Sequence, residues 1–225
     1  MFRRRKSDPL TPDGEVDADL EEPLEEEAGS ETVEPVGRRS AGPWDASEVT
    51  VDADDDSMID LGGLVVRGRP DLQLQLQVDE ATGEVVALLM MAEEGAVELR
   101  PFAAPRNTEI WDDVRRQIAA ETARLGGTAT EAEGPFGREL RVLVPVQGPD
   151  GQQLTQPSRV LGICGPRWLL RATLLGKPAI EPEPDGLIET ALRDVVVVRG
   201  TEAMAPGDPL PLRLPEGAQP MAPPE

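Results

Sequence analysis

From residue 72 the chain alternates. Leu72, Leu74, Leu76 and Val78 are separated by Gln73, Gln75 and Gln77, and this period of two predicts a strand with one wet face. Asp79 to Glu84, with Thr82-Gly83 inside it, reads as a turn. Val85 to Met91 then reads as a second, more fully buried strand. Glu93-Glu94-Gly95 turns the chain again, and Ala96 to Ala103 makes a third strand, so the three form an antiparallel meander. The period then changes. Ile110, Trp111, Val114, Ile118, Thr122 and Leu125 recur at helical spacing. Asn107 and Thr108 are cap candidates, and Glu109, Asp112 and Asp113 place negative charge where the helix dipole favours it. Gly126-Gly127 ends the helix.

A second meander follows: Thr128 to Glu133, Glu139 to Gln147, Arg159 to Cys164 and Arg167 to Leu175, with turns at Gly134-Pro135-Phe136-Gly137, Gly148-Pro149-Asp150-Gly151 and Gly165-Pro166. Residues 176–186 read as a Pro-rich loop. Asp185 is a cap candidate for a short helix, Leu187 to Arg193. Val195 to Val198 reads as a last strand, buried on both faces and therefore central. The expected fold class is α+β: a mostly antiparallel sheet with one long and one short helix, in the order β-meander, α, β-meander, α, β. This order is similar to the compact sandwich of the photosystem PsbP and nuclear Mog1 type, an analogy of fold that carries no function.

Charge divides the chain. Of 22 Lys+Arg and 43 Asp+Glu, residues 1–60 hold 6 and 19. That segment has little aliphatic content, and such a chain cannot bury enough apolar surface to offset its ordering entropy. Residues 1–42 are therefore expected to be a disordered acidic region, and 43–200 a single domain. Residues 201–225, with seven Pro, are expected to form an extended tail whose part from Pro209 to Pro215 straps onto the domain. The net charge of −21 argues against nucleic-acid binding, since phosphate backbones need clustered cations. The longest apolar runs, such as Val85 to Ala92, fall far short of the roughly 18–20 residues of a membrane helix. Met1-Phe2-Arg3-Arg4-Arg5-Lys6 has the charge of a signal-peptide start, but Ser7-Asp8-Pro9 follows instead of an apolar stretch, so no export signal is expected.

The side-chain inventory narrows the chemistry. With no His, a Ser or Cys nucleophile has no imidazole base within the chain. A single Cys, Cys164, builds no intramolecular disulfide or zinc ribbon, and fits a reducing compartment. Schiff-base chemistry would rest on Lys177, the only Lys besides Lys6. Asp52, Asp54 and Asp56 have the spacing that opens a calcium loop, yet Ser57 and Gly63 stand where that loop needs Gly and Glu, so a solvated acidic linker is the better reading. Glu109, Asp112 and Asp113 are better read as dipole partners, with Asp112 reaching Arg116 at i,i+4, than as catalytic carboxylates. No catalytic, metal or cofactor residues are assigned.

What remains points to binding. Arg106, Trp111, Arg167 and Trp168 are the candidate partner contacts, with Pro101, Phe102 and Pro105 as a rim; Trp111 and Trp168 also sit on apolar stripes and are candidate core. Arg159, Arg167 and Arg171 are expected to project from one hairpin face, their stems covering apolar surface. The leading expectation is a non-enzymatic protein-interaction module. The alternatives are a small-molecule or lipid-binding domain, a carboxylate-based hydrolase, or a peripheral membrane-surface accessory acting through Arg3 to Lys6.

Several strings carry a resemblance: Gly-Pro-Trp-Asp at 42–45, Ile-Asp-Leu-Gly-Gly-Leu at 59–64, Phe-Ala-Ala-Pro-Arg at 102–106 with Ile110-Trp111, Glu-Gly-Pro-Phe-Gly at 133–137, Gly-Pro-Arg-Trp-Leu-Leu-Arg at 165–171, Arg-Asp-Val-Val-Val-Val-Arg-Gly at 193–200, and Met-Ala-Pro-Gly-Asp-Pro-Leu-Pro-Leu at 204–212. Over about 42–214 the chain resembles a family of acidic actinobacterial proteins catalogued as a domain of unknown function. The resemblance implies a cytoplasmic bacterial setting and brings no activity, cofactor or site residue.

Overall fold

The computed structural model describes residues 41–52 and 54–215, which belong to one compact unit, residues 38–225. The acidic region from 1 to 40, with Arg3 to Lys6, and residues 216–225 lie outside the described residues, and with them most of the disorder expected at the two ends.

The chain runs β1 (Trp44–Asp45), β2 (Met58–Asp60), β3 (Leu64–Arg67), β4 (Gln73–Val78), β5 (Val85–Ala92), β6 (Gly95–Ala103), α1 (Trp111–Arg124), β7 (Thr128–Gly134), β8 (Gly137–Gln147), β9 (Gln153–Gly165), β10 (Trp168–Gly176), α2 (Lys177–Ile180), α3 (Leu187–Arg193) and β11 (Val196–Val197). The two meanders join into one antiparallel seven-stranded sheet of order β4-β5-β6-β10-β9-β8-β7, with β6 pairing β10 across the intervening helix and three strands. A second, four-stranded sheet of order β1-β11-β3-β2 lies apart from it.

The α+β expectation is overturned. The fold is mostly β: eleven strands in sheets of seven and four, against helices of 14, 4 and 7 residues. β11 lies within the strand expected at Val195 to Val198, but β1, β2 and β3 carry no readable alternation, because each spans four residues or fewer, and β1 and β3 are stabilised by a partner distant in sequence. Val65, for example, pairs with Val196. β11 lies between β1, which it pairs in parallel, and β3, and Val196 and Val197 are both buried.

Parity on each strand separates two cores. Leu88 and Met90, Val97 and Leu99, and Trp168, Leu170, Ala172 and Leu174 point to one face of the large sheet. They meet Leu64 and Val66 of β3, Val197 of β11, and Ile188 and Leu192 of α3. Burying such side chains contributes about 1.5–3 kcal/mol each. On the other face α1 packs over β7, β8 and β9 and closes a smaller core of Trp111, Leu140, Val142, Val160 and Leu169. α1 begins at Trp111, with no side-chain cap from Asn107 or Thr108, and Gly186 rather than Asp185 stands at the cap of α3.

Residues 207–213 lie between the sheets. The Leu210 N–H donates to the Pro101 carbonyl at 2.9 Å and the Gly63 N–H to the Pro211 carbonyl at 2.9 Å, so this strap is bonded to β6 on one side and to the turn before β3 on the other. Leu210 and Leu212 belong to the main core.

Candidate functional site

Over β5, β6 and β10 the main-core face of the large sheet is buried, while the opposite face is only partly covered. α1 occupies the part made by β7, β8 and β9. Outward residues of β5, β6 and β10 are left half-buried: Leu89 and Met91, Glu98, Arg100 and Phe102, and Arg171, Thr173 and Leu175. Register fixes how they lie. Arg100 is directly opposite Arg171, Glu98 opposite Thr173, and Phe102 opposite Leu169; Leu89 stands beside Glu98 on the far side of β6.

Two guanidinium groups therefore face each other across an antiparallel pair, an arrangement that like charge disfavours. Glu98 serves one of them, accepting from Arg100 Nε at 2.8 Å. The Arg171 guanidinium makes no hydrogen bond or ion pair among the described residues and lies over the Phe102 ring, 5.4 Å from the centroid. Burial lowers the Arg171 pKa below its ordinary value, Arg100 adds to that, and Glu98 opposes it. The group stays charged, but its charge is poorly compensated.

On β9 the neighbour of Arg171 is Gly162. A Cβ there would overlap the Trp111 ring, so Gly162 is the position that lets α1 seat its tryptophan against the sheet. The Trp111 Nε1–H donates to the Arg138 carbonyl at 2.7 Å, and the Arg115 guanidinium lies 6.0 Å from the ring centroid. Arg115, itself buried, pairs with Asp112 and Glu131 at 3.0 Å each.

The sequence candidates fall into two groups. Trp111 and Trp168 are 5% and 0% exposed. Trp168 is withdrawn as a contact anchor: it lies in the main core, and its Nε1–H donates to Asp45 Oδ2 at 2.6 Å. Arg106 is exposed and Arg167 half-buried, and both lie at the end of the sheet where β6 stops and β10 starts, the Ala104 N–H donating to the Arg167 carbonyl at 2.8 Å. Arg159, Arg167 and Arg171 do not share a face. Arg159 is fully buried on the side of the main core, Arg167 sits in the turn with φ 63°, and Arg171 faces outward. The parity of β9 and β10 puts 159 and 171 on opposite sides.

Several of the carboxylates are paired. Asp112 pairs with Arg115 and Asp113 with Arg116, at i,i+3 rather than the expected Asp112–Arg116. Asp55 pairs with Arg67 at 3.0 Å. Lys177 bonds Glu94 at 3.0 Å and Glu183 at 2.9 Å, and these carboxylates raise its pKa, keeping it protonated rather than nucleophilic. A cavity of about 340 Å³ beside it has a mixed lining, with Glu93, Glu181 and Glu183 on one hand and Pro178, Leu187 and Ile188 on the other. Beneath it, Arg159 lies between two buried carboxylates, Glu139 at 3.2 Å and Glu189 at 3.3 Å, and also donates to the Pro178 carbonyl at 2.7 Å.

The Arg100–Arg171 pair was missed because it exists only once β6 and β10 are placed side by side. Its one trace in the sequence is Arg171 interrupting the run Trp168 to Leu175.

No described helix is long and apolar enough to cross a membrane. Comparison with curated proteins finds no match. Among solved structures, the chain is similar to the solution structure of cyanobacterial PsbP (CyanoP) from Synechocystis sp. PCC 6803, with 8% identity, a TM-score of 0.37, and coverage of 66% of this chain and 98% of that one. At residues 42–221, which span the whole fold described above, the chain matches and belongs to the family described as protein of unknown function DUF3710.

Proposed function

We propose that this protein is a non-enzymatic protein-interaction module of the cytoplasm, and that it docks its partner on the half of the outer sheet face carried by β5, β6 and β10. The observation that carries the reading is the incomplete cover on that face. Leu89, Met91, Phe102 and Leu175 stand half-buried around Arg171, a cation with no ion pair among the described residues. Partly desolvated aromatic and Arg side chains on a rigid scaffold are the groups that dominate binding energy at interfaces. Arg106 and Arg167 extend the cationic character to the end of the sheet, while Trp111 and Trp168 hold the platform from within. The lone Cys164 supports a reducing compartment.

The test is site-specific photo-crosslinking in the native host. A benzophenone side chain placed at Leu89 or Leu175 is expected to capture one and the same defined protein, and placed at Gln152, in the turn before β9, to capture none. Equal capture from all three positions, or none from the first two, rejects the reading.

A further inference from the structure

We infer that the docking face recognises a carboxylate flanked by aliphatic side chains, presented on a segment of the partner protein, with Arg171 and Arg100 as its receptors. The inference rests on the docking-face reading above and specifies the chemistry of what docks. Two guanidinium groups share one carboxylate, Glu98, which bonds Arg100 alone. One positive charge is thus left over on a half-buried surface of a chain whose net charge is −21. A second carboxylate would relieve the Arg100–Arg171 repulsion and meet the vacant planar fork of Arg171 bidentately. Phe102 holds that fork in place, so little side-chain freedom would be lost on binding. Register gathers Leu89, Met91 and Leu175 on one side of the arginine pair and places Phe102 on the other, and these supply apolar contacts for the flanking residues.

Two alternatives fit less well. A polyphosphate backbone presents many charges, and would meet the repulsion of the whole acidic chain. A single carboxylate feels mainly its local surroundings, because charges beyond about 8 Å are screened at physiological ionic strength. A second copy docked through the same face would set one Arg100–Arg171 pair against another.

The experiment uses the full chain, ¹⁵N-labelled at arginine, and hexanoate as the probe, a carboxylate with an aliphatic tail. Hexanamide is the neutral control. Hexanoate is expected to move the Nε–H signals of Arg171 and Arg100 saturably, and hexanamide to bind about tenfold or more weakly, the difference expected for a charge-assisted hydrogen bond. Arg171→Gln should abolish the response and leave the rest of the spectrum unchanged; should that variant fail to fold, the comparison of acid with amide still decides. Equal responses to acid and amide, or shifts spread evenly over the exposed arginines, overturn the inference. If hexanoate fails while crosslinking from Leu89 and Leu175 still yields one defined partner, the carboxylate is wrong and the docking face stands.

Discussion

Replacing Gly162 with Ala tests how the helix is seated. The added methyl would lie 2.6 Å from Trp111 Cε2 and closer still to Cδ2 and Cε3, so the indole must move. Overpacking of this kind costs about 1–3 kcal/mol. Displacing the ring also strains the Nε1–Arg138 bond of 2.7 Å, worth about 1 kcal/mol. The expected loss is therefore about 3 kcal/mol, which for a domain of this size lowers Tm by about 6–12 °C. Urea unfolding followed by tryptophan fluorescence measures it. The decisive arm is the double variant: a smaller side chain in Trp111→Leu makes room for the methyl, so Gly162→Ala should cost at least about 1 kcal/mol less in that background. A Gly162→Ala midpoint equal to wild type, or two substitutions that simply add, would refute the claim that the glycine exists to admit the ring.

Other expectations follow from buried groups. Burial raises the Glu139 pKa above its ordinary 4.5, against the pull of Arg159 and Arg141. A raised folded pKa contributes stability that is present below the unfolded value and lost as pH rises through the folded one. Glu139→Gln should therefore flatten the fall in stability above pH 4.5, as read from urea midpoints between pH 4 and 8; an unchanged slope counts against it. Arg159→Met leaves Glu139 and Glu189 buried without their shared cation and should cost about 3–5 kcal/mol, or prevent folding. Trp168→Phe removes the donor to Asp45 and should cost about 1–3 kcal/mol by the same assay; a neutral result would mean that Asp45 is served by water. Ending the chain after Gly200 removes Leu210 and Leu212 from the core and should cost about 3–6 kcal/mol. A truncated protein as stable as the whole would contradict their place in the structure.

The sequence discloses the elements that carry their own signal. β4 reads from Leu–Gln alternation, α1 from the spacing of Trp111, Val114 and Ile118, and the hairpin turns from their Gly and Pro residues. It does not disclose the second sheet. Strands of two to four residues contain too few positions for a period, and β1 and β3 meet their shared partner β11 only far along the chain. The candidate site has the same limitation. Arg106 and Arg167 stand out because they flank aromatic residues, and the indoles they flank prove to be buried. The Arg100–Arg171 contact arises from pairing between β6 and β10, whose 71-residue separation no local pattern spans.

The second sheet also sets an order of events during synthesis. β3 leaves the ribosome well before β11, its central partner; Val65 pairs with Val196, 131 positions later. At about 5–20 residues per second, that delay is on the order of 7–26 s. Throughout it Leu64, Val65 and Val66 wait without the strand that covers them. For that interval the nascent chain presents an unpaired strand edge to chaperones and proteases, and it is β11 that closes it.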